Sequence, residues 1–376
     1  MIKSKKIINV LIDNIDPEIG VQGNITKADD TFFLMDHIFP EAEVVYHASG
    51  ELVDCRVLIP NWIYPIVLHN LTFLNFMFDW GNSDRDLLSM LSTRVRHQYF
   101  SNRGVIVFFI IEPFQTMDPN NDDLNNFIQM IEENPRYNNI IFLNLHYIDS
   151  ANFIFTNILE NTMENWGPLD KDTVSNTYNY LENYKDRRYC SFLINYKESS
   201  ERLLLLKFLE KNELLDKGFV SANEYECDKI FKSLDIKTTF NKILLNIIPE
   251  GNYYREGYNF ISEKTYRSFK HKKPFIYLGQ YKSLKYIKDI GYKTFSPIID
   301  ESYDDIEDNK VRLGRVCVEI KRLMDKPLEE FEKDMKELET ICEYNYNKYF
   351  ADKELYKDKF YKKIYGTKNA SYKQKL

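Results

Sequence analysis

Ser262-Glu263-Lys264 brings a hydroxyl, a carboxylate and an ammonium together where the sequence marks the start of a helix. Ser262 is a good N-cap residue, because its side-chain oxygen can accept from a free amide of the first turn. Glu263 follows in the first turn, where the helix dipole favours negative charge. The segment continues through a basic stretch with Arg267, Lys270, Lys272 and Lys273 into an apolar strand, Pro274 to Leu278, closed by Gly279. A carboxylate suited to sugar hydroxyls, beside cations and free helix N–H groups suited to phosphate, matches a ribose and a diphosphate. In this reading Glu263 bonds a ribose or sugar hydroxyl and Lys264 or Arg267 neutralises phosphate. The alternative is plainer: Glu263 is a helix-start charge and Lys264, Arg267, Lys270, Lys272 and Lys273 form a solvated face.

Other patterns point away from several chemistries. The chain has no GxGxxG, Walker A or GxSxG pattern, so a nicotinamide enzyme, a P-loop NTPase and a serine hydrolase lose their usual support. Asp118, Asp122 and Asp123 cluster, as do Asp300, Asp304, Asp305 and Asp308, but neither group follows an EF-hand pattern. No metal site is expected. The five cysteines, Cys55, Cys190, Cys227, Cys317 and Cys342, show no CxxC spacing and suit reduced thiols in a cytoplasmic compartment.

The elements that must position such a site alternate between strand and helix. Ile7–Ile12, Glu43–His47, Arg56–Ile59, Val105–Ile111 and Ile140–Leu145 read as strands, the last two apolar enough for a parallel sheet covered on both faces. Asp122–Glu133 reads as an amphipathic helix, and periodicity does not decide between helix and strand for the apolar region Leu68–Asp79. A polar stretch from Glu164 to Arg188, containing Gly167-Pro168, separates the halves. The alternation then restarts: strand Tyr189–Ile194, helix Ser200–Asn212, strand Asn241–Ile248, the helix of the Ser-Glu-Lys motif, strand Phe275–Leu278, helix Ser283–Asp289 ended by Gly291, and strand Lys293–Phe295. From Asn309 to about Tyr349 the pattern is helical, broken by Pro327. Strand–helix alternation in both halves implies two α/β layers with C-terminal helices, divided as 1–165, 189–310, 311–350 and a basic tail 351–376. In open α/β sheets ligands sit beyond the carboxyl ends of the strands, so the chemistry belongs to residues that follow strands.

The order of elements around the motif carries a resemblance. Leu245-Asn246-Ile247-Ile248-Pro249-Glu250 is a strand ending in an acid, and a loop with Tyr253, Tyr254 and Arg255 leads to Ser262-Glu263-Lys264, the basic helix and the Pro274–Gly279 strand. This order resembles the donor-binding region of fucosyltransferase-like glycosyltransferases, whose two Rossmann-like domains face a cleft in the GT-B architecture. Ser283–Ile287, Gly291–Phe295 and Asp300–Asp304 look like a version common among phages and giant viruses, and a composition rich in Asn, Lys, Ile and Tyr resembles proteins of AT-rich genomes. Ser191-Phe192-Leu193-Ile194-Asn195 followed by Arg202 is similar to the family's strand–Asn–x–Arg element. The resemblance covers roughly residues 189 to 320. It implies a nucleotide-sugar co-substrate, a UDP- or GDP-sugar, with no cofactor. It places Glu250, Ser262, Glu263, Lys264 and Arg267 around that donor and Asn195 and Arg202 near its phosphates. Arg202 also reads as an ordinary exposed residue of an amphipathic helix.

A glycosyl transfer that inverts the anomeric carbon needs a base on the acceptor side. Glu112, which ends the run Val105–Ile111 and precedes Pro113, is the candidate catalytic residue; Asp13, His47 and His146 occupy similar places after strands. A transfer that retains configuration needs no such base. The acceptor is expected to be a hydroxyl on a glycan or on a hydroxymethylated base of phage DNA. A non-catalytic sugar- or nucleotide-binding virion protein is the alternative of another class. Arg94, Arg96, His97 and Arg103, with Tyr99 and Phe100 interleaved, read either as solvated surface or as a polyanion track on which a flipped base would stack.

The whole-chain numbers bound these readings. At 376 residues, 44% hydrophobic and 28% charged, the chain is long enough for two ordinary globular domains. A net charge of −7 argues against a protein that coats DNA non-specifically. The apolar run after Met1 is too short for a signal peptide and stops at Asp13, and no apolar stretch approaches membrane-span length, so a cytoplasmic protein is expected.

Overall fold

The structure, a computed structural model, describes residues 7–12, 43–48, 62–68, 93–101, 104–110, 129, 131–144, 153–155, 188–193, 200–222, 225, 227, 229–230, 234, 236–250, 261–352, 355 and 362. The chain divides into two compact units, one of residues Met1–Glu164 with Asp352–Leu376 and one of Asn165–Ala351. Each is built on an all-parallel sheet, the α/β class read from the alternation.

In the first unit six strands, β1 (Ile7–Ile12), β2 (Glu43–Ala48), β3 (Trp62–Leu68), β4 (Gly104–Ile110), β5 (Ile140–Asn144) and β6 (Phe153–Phe155), lie in the order β2-β1-β3-β4-β5-β6. The apolar runs explain this, since Val10, Leu11, Ile63, Val105, Ile106, Val107, Ile140, Ile141 and Phe142 are all buried. Strand β3 is absent from the sequence reading. Pro65 sits within it, paired in register with Val107, although proline removes a ladder donor and is usually confined to edges. Gly104 is required by close approach, because a Cβ there would lie 2.1 Å from the Trp62 indole. Helix α1 (Thr93–Phe100) precedes β4. Its Tyr99 is buried and donates its hydroxyl to the Arg136 carbonyl. That corrects the idea of Tyr99 as a stacking platform, since the ring belongs to the core; Phe100 is the exposed aromatic. His47 lies inside β2 rather than after it. Glu112, Asp13, His146, Arg103 and the stretches Arg56–Ile59 and 69–79 lie outside the described residues, as does most of 122–133.

The second unit has four strands, β7 (Tyr189–Phe192), β8 (Gly218–Ser221), β9 (Leu245–Pro249) and β10 (Phe275–Leu278), in the order β10-β9-β7-β8. Helices α2 (Ser200–Lys211), α3 (Ile236–Lys242) and α4 (Glu263–Lys270) intervene, and α5 (Ser283–Asp289) follows β10. Two strand expectations are corrected. Asn241 and Lys242 end helix α3, so β9 begins only at Leu245. Lys293–Phe295 is not a strand: the Lys293 amide and carbonyl are taken by the Asn345 side chain at 2.8 Å each, and the Phe295 amide donates to Glu301 Oε1 at 2.6 Å. Side chains have replaced the ladder a strand would need.

Three helices close this unit: α6 (Asn309–Met324), α7 (Leu328–Glu337) and α8 (339–352). Pro327 separates the first two, as the sequence predicts, and a further break at Leu338 separates the others. Asp308 caps α6 by accepting from the Lys310 and Val311 amides at 2.9 Å each. At the opposite end Arg188 Nη1 donates to the carbonyls of Met324 and Lys326 at 2.8 and 2.6 Å, cations at a helix C-terminus being favoured by its dipole. Helix α6 packs on β10 and α2 through Leu313, Val316, Ile320 and Leu323. Tyr349 of α8 contacts Tyr266 of α4, and Phe269 stacks on Tyr292 at 4.1 Å between centroids. The high aromatic content is used here, as a buried layer that holds α4 from behind.

Candidate functional site

In the second unit the strand order reverses between β7 and β9: β8 leaves β7 on one side, and β9 and β10 lie on the other. This is a topological switch point, where open α/β sheets bind ligands beyond the strand carboxyl ends. The residues at those ends are Phe192, which closes β7, Leu193 after it, and Glu250 after β9.

Two buried guanidinium groups reach these two strand ends. Arg202, in the first turns of α2, donates from Nη2 to the Pro249 carbonyl at 3.2 Å, so it meets the last residue of β9. Arg267, on α4, lies over the ring of Phe192, the last residue of β7, at 5.9 Å from its centroid. Neither behaves as a surface charge, Arg202 being 8% and Arg267 7% exposed. The solvated-face alternative therefore fails for Arg267, and the exposed-residue alternative fails for Arg202.

The start of α4 completes the group. Ser262 is the N-cap, its Oγ accepting from the Lys264 amide at 3.2 Å while donating to Glu250 Oε1 at 2.7 Å. The Ser262 amide and the Thr265 hydroxyl donate to the same Oε1, at 3.3 and 3.2 Å. Lys264 Nζ pairs with Glu263 Oε1 at 2.9 Å and lies 3.5 Å from Ser262 Oγ. For Glu263, which is 13% exposed, burial alone would raise the pKa. The charges of Lys264 and Arg267 and the Lys264 hydrogen bond overcome that and hold it at about 2.

The sign of the linkage follows. A folded pKa below the ordinary value of 4.5 contributes stability that is complete above about pH 4.5 and is lost as pH falls towards 2. In Glu263→Gln the pH dependence of the unfolding free energy over that window is expected to be shallower, by up to about 1.4 kcal/mol per pH unit. Denaturant titrations at a series of acidic pH values measure it.

Helix α5 does not offer a second anion site at the same sheet edge. The Asp304 carboxylate takes the Leu284 and Lys285 amides at 2.9 and 3.0 Å and so fills that helix start. The acidic cluster of the sequence is similarly spent: Asp308 caps α6, Asp300 accepts from the Ser302 amide, and Asp305 pairs with Lys282. Among the described residues no group of three or more His, Cys, Asp or Glu is placed to hold a metal ion. Among the described residues, what remains at the switch point is Arg202, Lys264 and Arg267 with one accessible carboxylate, Glu263, and Glu250 buried beneath.

Gly279 belongs to this arrangement by close approach. A Cβ there would lie 2.1 Å from Tyr277 Cε1, because the Tyr277 ring folds over the end of β10 towards Glu250 and Thr265. Burial first, and then the Glu250 charge, push the Tyr277 phenol well above its ordinary pKa, so it stays protonated. Gly279→Ala is expected to displace this ring and cost about 2 kcal/mol of stability, readable as a lowered thermal midpoint.

Of the residues singled out from sequence, the structure brings together Arg202, Glu250, Ser262, Glu263, Lys264 and Arg267. Asn195 and the loop residues Tyr253, Tyr254 and Arg255 lie outside the described residues, as Glu112 does. Tyr277 and Thr265 were missed. Tyr277 reads as an ordinary strand residue, and only the inward-pointing register of β10 beside β9 could have pointed to it.

No helix among the described residues is long and apolar enough to cross a membrane. No protein-family model and no curated protein sequence matches the chain. Among solved structures the chain is similar to an α1,3-fucosyltransferase, at 11% identity over 89% of this chain and 82% of that one, with a TM-score of 0.40. A structure of α1,3-fucosyltransferase with GDP-fucose gives 11% identity over the same shares and a TM-score of 0.39. An α,α-trehalose 6-phosphate synthase from Burkholderia multivorans matches at 10% identity over 98% of this chain and 100% of that one, with a TM-score of 0.42. At such values these likenesses assign no residue and no activity.

Proposed function

We propose that the chain is a glycosyltransferase that moves a sugar from a nucleotide-diphosphate sugar to a hydroxyl acceptor. The observation that carries this is the convergence of Arg202, Lys264 and Arg267 with the ionised Glu263 at the β7–β9 switch point. Cations against a diphosphate, and a carboxylate held charged for ribose hydroxyls, are what a nucleoside diphosphate requires. The order of elements from Glu250 through Gly279, which resembles a glycosyltransferase donor region, supports a sugar as the transferred group.

In the reaction, the bond between the anomeric carbon and the diphosphate oxygen breaks and its electron pair stays on the diphosphate. Lys264 and Arg202 stabilise that growing charge, which is the electrostatic share of catalysis and needs no obligatory metal ion. The acceptor oxygen bonds to the anomeric carbon and gives up its proton, with Glu112 as the proposed base if configuration inverts. Helix-start backbone and Glu263 orient the ribose. The donor domain is residues 189–310 and the acceptor domain 1–165, with a glycan or a hydroxymethylated DNA base as acceptor.

A thermal-shift panel of UDP, GDP, CMP and dTDP, followed by assays of UDP- and GDP-sugars for release of free nucleotide, tests this. A clear stabilisation by UDP or GDP is expected, with turnover of the matching sugar nucleotide. Stabilisation without turnover on any acceptor would favour a non-catalytic binding protein, and no stabilisation by any of the four would overturn both.

A further inference from the structure

Glu250 follows β9 directly and is 3% exposed. Its Oε1 accepts from three donors, the Ser262 amide, the Ser262 hydroxyl and the Thr265 hydroxyl, all at the start of α4. The Ser262 hydroxyl is thereby oriented: its proton goes to Glu250, and its lone pair is left for the Lys264 amide at 3.2 Å. Glu250 Oε2 is equally buried, and the Tyr277 phenol of β10 is turned towards the same carboxylate. The backbone of Glu250 is itself fixed, its amide donating to the Leu278 carbonyl of β10 at 3.0 Å.

We infer that Glu250 is a positioning residue that locks the first turn of α4 to the end of β9 and so sets where Glu263 and Lys264 meet the ligand. This rests on the proposed nucleotide-sugar function and deepens it, because it moves Glu250 out of contact with the donor and gives it a different task. The chemistry favours that task. A carboxylate oxygen can accept several hydrogen bonds at once, and a buried one that does so costs much to disrupt. A catalytic helix start must be held to within a fraction of an ångström, which a loop alone does not achieve. Glu250 joins two rigid elements, the end of β9 and the start of α4.

Positioning and direct contact make different predictions. Glu250→Gln keeps an amide oxygen able to accept from Ser262 and Thr265, whereas Glu250→Ala removes every acceptor. Calorimetry with GDP and UDP on the full chain should therefore show Glu250→Gln within about threefold of wild type and Glu250→Ala weakened by about tenfold. Amide hydrogen exchange of the ligand-free protein should quicken at Lys264 and Thr265 in Glu250→Ala by about tenfold and stay near wild type in Glu250→Gln. If Gln is as damaging to affinity as Ala, Glu250 touches the ligand and the inference is overturned. If the wild-type chain binds neither nucleotide, the proposed function falls. The exchange measurement then still decides: unchanged exchange at Lys264 and Thr265 in Glu250→Ala overturns the positioning as well.

Discussion

Replacing Arg202 and Arg267 together by methionine should weaken nucleoside diphosphate binding by on the order of a hundredfold to ten-thousandfold. Each guanidinium is buried at the end of a strand, one at β9 and one at β7, where water screens its charge poorly. A charge-assisted hydrogen bond in such a place contributes about 1.5–3 kcal/mol, roughly tenfold to a hundredfold each. Methionine keeps much of the apolar stem, which limits the loss of packing against Phe192. Calorimetry measures the affinity, and a thermal scan of the unliganded variant separates loss of binding from loss of fold. Equal affinity in the double variant and wild type would remove both residues from the site.

The second large effect concerns stability rather than ligand. Arg312 of α6 is almost fully buried and ties the far side of the site together. Its Nε donates to the Gly279 carbonyl at 3.1 Å, and its Nη1 to the carbonyls of Ile306 and Glu307 at 2.7 and 2.9 Å; Nη2 bonds the Asn309 side chain. One side chain thus satisfies the end of β10 and the turn that enters α6. Arg312→Met would leave the buried Gly279 carbonyl and the part-buried Ile306 and Glu307 carbonyls without this donor, at about 1–2 kcal/mol each, partly offset by release of the desolvated charge. A net loss of about 3 kcal/mol is expected in denaturant unfolding. A loss below about 0.5 kcal/mol would show that the turn finds other donors.

Local signals made much of the second unit legible. The Ser262 cap, the strand Phe275–Leu278 and the helix Ser283–Asp289 with Gly291 beyond it were readable to the residue. Each is written by a cap, a short apolar run or a residue suited to positive φ, and Gly291 has φ +89°. Strand β3 was hidden by Pro65, whose usual meaning is the opposite of a central strand. Strand β8 was missed because Gly218-Phe219-Val220-Ser221 is too short to show a period. Arg267 was ambiguous for a geometric reason. It shares a basic stretch with Lys270, Lys272 and Lys273, and only the placement of α4 against the end of β7 makes it buried. The role of Glu250 was least legible, since a sequence shows an acid after a strand but not which way its carboxylate turns.

Calorimetric titration of wild type and Lys264→Ala with GDP and UDP tests the central claim most directly. Lys264 stands at the helix start with its ammonium on Glu263, away from the main core, so its removal changes the site more than the fold. The predicted result is binding of at least one of the two nucleotides by wild type and a loss of about tenfold or more in Lys264→Ala. Binding of the same nucleotide with unchanged affinity by Lys264→Ala would contradict the account.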